Sequence, residues 1–67
     1  MQNISSSSRD LNHLRRGFTY RAVMASGHAT GEYLGVETPH GVWSIMLRHD
    51  HGTDSIPMRS ITSISPV

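Results

Sequence analysis

The chain contains no cysteine. That absence removes two devices by which very small domains are held together, disulfide bridges and cysteine-ligated zinc. Lysine is absent as well, so all six basic residues are arginines, and the formal net charge is only +1. A strongly basic field over the whole molecule is thereby excluded, whereas local arginine clusters that hold phosphates bidentately are not. Long apolar runs are missing too, none approaching the roughly 20 residues needed to span a bilayer. No basic segment followed by an apolar stretch of signal-peptide type is found near the first residues. The expectation is a cytoplasmic protein with no membrane partner. Aromatic residues are few, with one Trp, two Tyr and one Phe among 67 residues. A chain of this size with 36% hydrophobic residues forms one domain with a thin core. Self-association is the stabilising device that remains.

Residues 1–8, MQNISSSS, are polar and serine-rich, and their composition predicts a disordered tail. A single domain is expected over residues 9–67. Within residues 9–16, RDLNHLRR, Leu11 and Leu14 stand three apart, as on one face of a helix. Ser7 and Asp10 fit a capping box, Arg15 and Arg16 suit the negative end of the helix dipole, and Gly17 reads as the stop. A short N-terminal α-helix is therefore expected.

Beyond Gly17 the period changes from helical to two. Phe18, Tyr20, Ala22 and Met24 alternate with Thr19, Arg21 and Val23, which predicts a first strand. Ser26, Gly27 and His28 supply a turn, and residues 31–38 read as a second strand interrupted by Gly35. A glycine at that position implies sharp bending or close backbone approach. Pro39, His40 and Gly41 make the next turn. In residues 42–48, VWSIMLR, alternation puts Trp43, Ile45 and Leu47 on one face, which assigns Trp43 to the core. Residues 49–54, HDHGTD, have turn composition, and SIPMRS and ITSI form two further short β pieces. Pro57 lacks a backbone donor and belongs where no ladder partner is needed. One short helix followed by about five short, bent strands describes a mainly β, SH3-like small barrel. A thin curled sheet of this kind hides its edges in itself or against a neighbouring subunit.

This order of elements resembles the Sm-like superfamily, and within it the Hfq family of bacterial RNA chaperones. The segment Leu11-Asn12-His13-Leu14-Arg15-Arg16 is similar to the L-N-x-L-R-R pattern of the family's N-terminal helix. Gly27 falls at the family's first hairpin turn, Glu37 lies near its acidic residue after the second strand, and ITSI resembles its closing strand. The resemblance implies a five-stranded Sm-like barrel, a homo-oligomeric and hexameric ring, single-stranded RNA as partner, and a role in post-transcriptional regulation or RNA annealing. It places Asn12, Arg15 and Arg16 on an RNA-contacting rim. It also places Met58 and Arg59 at the pore, where the family has Y-K-H and this chain has Pro57-Met58-Arg59. The stretch from Val42 to Ser65 also resembles the C-terminal hairpin of the Rof-type inhibitors of the Rho terminator, which implies a protein partner instead.

Chemistry other than binding has little to rest on. There is no cysteine nucleophile, no G-x-S-x-G elbow and no glycine-rich phosphate loop, so neither an enzyme nor a cofactor is expected. His49, Asp50, His51 and Asp54 are metal-ligand residue types, but two His and two Asp in a turn fall short of a dedicated site. A solvated turn is the expectation there. Among the aromatics, Tyr33 is the candidate stacking platform, because glycines on either side let a ligand approach.

Overall fold

The computed structural model describes Leu11 and residues 14–67. They form five antiparallel strands: β1 (Thr19–Met24), β2 (Gly27–Glu37), β3 (Ser44–His49), β4 (Gly52–Pro57) and β5 (Ile61–Pro66). Short 3₁₀ turns, Pro39–Gly41 and Met58–Ser60, lead into β3 and β5 respectively. The sheet order is β4-β3-β2-β1-β5, a meander of β1 to β4 with β5 returning to pair with β1. One face is apolar because the strands alternate: Tyr20 and Ala22, Tyr33, Ile45 and Leu47, Ile56, and Ile61 and Ile64 form a single buried cluster. All five strands contribute, so the thin core predicted from composition is one curved face.

The curvature comes from β2. Leu34 is an extra residue in the β2–β3 ladder, since Tyr33 pairs with Leu47 but Gly35 pairs with Met46. Gly35 has φ 129°, in a region that residues with a Cβ rarely adopt, and a Cβ there would stand 3.0 Å from the Arg16 guanidinium. At Gly31 a Cβ would lie 2.6 Å from the carbonyl oxygen of Arg48. The glycine interruption read from the sequence therefore marks both a bulge and a close approach.

The N-terminal expectation is corrected in part. No α-helix occurs among the described residues, and Leu14 to Gly17 are coil and turn; the tail over 1–8, the capping pair Ser7 and Asp10, and Asn12 lie outside the described residues. Competing hydrogen bonds explain why a helix does not reach Arg16. The Arg15 amide donates to the Tyr20 hydroxyl at 2.9 Å, the Gly17 amide to the Tyr33 carbonyl at 3.0 Å, and Phe18 closes a turn back to the Arg15 carbonyl at 3.2 Å. The segment thus spends its donors on the sheet and not on an i→i−4 ladder.

Nor does the sheet close into a barrel. β4 and β5 are both free edges, and in this order they run in the same direction, so closure would need a parallel pair. Proline trims each edge. The Met58 amide donates to the Trp43 carbonyl, so by alternation Ile56 and Asp54 face β3 while Pro57 and Ser55 face outward. The Val67 amide donates to Thr19, so Ser65 faces β1 while Ile64 and Pro66 face outward. Both prolines lose a donor only where no partner strand lies among the described residues, as expected for Pro57.

Adding a methyl at Gly31 tests the account of the curvature. Gly31→Ala is expected to lower stability by about 1–3 kcal/mol through overpacking against the Arg48 backbone. A urea midpoint unchanged from wild type would show that the two strands separate freely there.

Candidate nucleic-acid groove

The two 3₁₀ turns lie side by side at one end of the sheet. The hydrogen bond from the Met58 amide to the Trp43 carbonyl, 2.9 Å, ties the second turn to the strand entry that follows the first. The first turn is closed by Gly41 and Val42 amides donating to Thr38 and Pro39 carbonyls, each at 3.0 Å. Its middle residue, His40, is a non-glycine residue with positive φ, at 53°. Such a conformation is sparsely populated and is often found where backbone geometry serves a site.

Two adjoining hollows open here. One, of about 310 Å³, is lined by Gly41, Val42, Trp43, Met58 and Arg59. The other, of about 390 Å³, has Pro39, His40, Ser44, Ser55 and Pro57 in its wall and shares Val42 and Arg59 with the first. Both fall at the lower end of the range for small-ligand sites, about 300–1,000 Å³. No carboxylate lines either hollow, so the ionisable groups around the groove are Arg59 and His40. The Ser44 hydroxyl is buried and donates to the Val42 carbonyl at 3.1 Å, which holds the floor of the second hollow.

Trp43 is the main correction to the sequence-based core. Its relative exposure is 65%, whereas its expected face-mates Ile45 and Leu47 are wholly buried. The cause is local: β3 begins at Ser44, and Ser44 and Ile45 are both buried, so the alternation that would turn residue 43 inward is broken at the strand entry. Trp43 is held outward beside Met58 and Arg59.

The aromatics have in effect exchanged roles. Tyr33, the expected stacking platform, is 7% exposed and packs edge-on against Tyr20, with ring centroids 6.2 Å apart and planes at 90°. Within the chain its ring offers no free face to a base. Phe18 is exposed but does not line the groove.

Of the other expected site residues, Met58 and Arg59 are brought together, with Trp43 between the turns. Arg15 and Arg16 are exposed but line neither hollow, and the Arg16 guanidinium lies over Gly35. Arg48 is paired with Glu32 at 2.7 Å across β3 and β2. In the β3–β4 hairpin the His51 amide donates to His49 Nδ1 at 3.1 Å, and His49 Nε2 faces Asp54 Oδ2 at 3.2 Å. Both imidazole nitrogens are thereby engaged. Among the described residues no group of three or more His, Asp or Glu is placed to hold a metal ion, and no helix is long and apolar enough to cross a membrane.

No family model matches the chain, and neither a curated protein nor a solved structure matches it. What the fold itself establishes is a small five-stranded antiparallel β-sheet domain.

The contrast between the two large aromatics is measurable as stability. Trp43→Ala is expected to change unfolding free energy by no more than about 0.5 kcal/mol, as exposed positions do, whereas Tyr33→Ala should cost about 3–5 kcal/mol. Equal losses in denaturant unfolding would contradict the placement of either ring.

Proposed function

We propose that this is a non-catalytic, Sm-like protein that binds single-stranded RNA, with the groove between the 3₁₀ turns as its contact site. The observation that carries the proposal is the exposed Trp43 ring held beside Met58 and Arg59 in a groove lined by no carboxylate. An exposed indole stacks on any base, and a guanidinium holds a phosphate or stacks in turn, which together suit flexible single strands better than duplexes. Arg15 and Arg16 add a second basic strip on the segment before β1. The near-neutral net charge, +1, limits long-range steering, so contacts within the groove carry most of the affinity.

Self-association into a ring through the β4 and β5 edges belongs to the same proposal. Each edge presents backbone groups without a partner among the described residues, and the core on one curved face is thin. The same free edges also support a second reading, a Rof-like module that regulates a transcription or RNA-processing factor. In that case an edge would pair with an extended segment of another protein.

Titration with short A-rich and U-rich RNAs, combined with light scattering, separates these readings. RNA binding is expected, weakened roughly 5- to 150-fold by Trp43→Ala, the equivalent of about 1–3 kcal/mol for one stacked base. Arg59→Ala should reduce the salt slope of binding by about 0.7, the loss of one single-strand phosphate contact. A monomer whose mass and Trp fluorescence ignore both RNAs would overturn the RNA proposal and favour a protein partner at a free edge.

A further inference from the structure

The two hollows share Val42 and Arg59, yet their other walls differ in kind. One side presents Trp43 and Met58, an indole face and a thioether, which grip a planar ring without reading its edge. The other presents the exposed His40 imidazole and Ser55 hydroxyl, groups that donate and accept hydrogen bonds. Arg59 stands between a stacking compartment and a hydrogen-bonding compartment.

We infer that each chain holds two successive nucleotides of one strand, with Arg59 at the phosphodiester between them. This rests on the nucleic-acid reading of the groove and adds to it a site size and a division of labour. A phosphodiester is the one anionic group that lies between two neighbouring bases, and Arg59 is the one cationic side chain common to the two hollows. The first base stacks on Trp43 and is accepted whatever its identity, since every base has a π face. The second base meets the imidazole and the Ser55 hydroxyl, which contact its edge and discriminate among bases.

His40 is the residue on which the second position depends. Its left-handed backbone, φ 53°, is sparsely populated for a residue with a Cβ, although His is among those enriched there. Glycine would adopt the same turn with less strain. The presence of an imidazole at a position that glycine fits better points to a use for the ring.

The test uses Trp43, the only tryptophan in the chain, as a fluorescence reporter. The whole protein is titrated with nucleoside 3′,5′-bisphosphates and with dinucleotides that carry the same terminal phosphates, so that both ligand classes give Arg59 a phosphate. The dinucleotides are expected to bind at least ten-fold more tightly than the bisphosphates. His40→Gly, which keeps the turn, should abolish that advantage, and Ser55→Ala should reduce it. Equal affinity for both ligand classes, or a dinucleotide advantage untouched by His40→Gly, would overturn the two-nucleotide site and leave a one-nucleotide groove. Failure of every ligand and of longer single strands to perturb Trp43 would instead overturn the RNA reading, and this inference with it.

Discussion

The approach of β2 to β3 at Gly31, where a Cβ would stand 2.6 Å from the Arg48 carbonyl oxygen, governs how far the sheet bends. Three and four residues on, the bulge at Leu34 and the φ of 129° at Gly35 complete the bend. A flat sheet of five short strands would leave Ile56 on one edge and Ile64 on the other unable to share a core. Bending brings both into one cluster with Tyr20, Tyr33, Ile45 and Leu47. The antiparallel order puts the end of β2, the start of β3 and the end of β4, and with them the 3₁₀ turns, at one end of the sheet.

What the bend does not do is close the sheet. The outward faces of Pro57 and Pro66 remove one donor from each free edge, which shortens the stretch available for pairing without costing a hydrogen bond inside the chain. Edges so treated resist indiscriminate association, yet each retains acceptors and donors on its other outward residues. An assembly or partner that pairs there is restricted to a short stretch of defined register.

The groove is built on backbone that both turns hold in place. The Met58 amide hydrogen-bonds to the Trp43 carbonyl, His40 sits in a closed turn, and the buried Ser44 hydroxyl donates to the Val42 carbonyl. Above that frame the Trp43, His40 and Arg59 side chains stay exposed. The histidine-rich hairpin on the opposite end of β3 contrasts with this: each nitrogen of His49 is already engaged within the hairpin.

Much of the fold was legible in the chain. The two-residue alternation of Tyr20 and Ala22, and of Ile45 and Leu47, locates the buried face; Gly35 marks the bend; and the missing donor of Pro57 puts it where no ladder partner is needed. Met58 and Arg59 were singled out by resemblance and do line the groove. The sequence by itself determined the mainly β class, the one-sided core and the sites of bending, because periodicity and missing side chains are local properties. Only the tertiary structure decided that Tyr33 is buried, that Trp43 is exposed, that Leu14 to Gly17 bond to the sheet, and that the sheet stays open. Each of those outcomes depends on what the rest of the chain places beside a residue. Alternation predicts which way a side chain points within a strand, but it is silent on where the strand begins, and at Ser44 that single boundary separates a core tryptophan from a surface one.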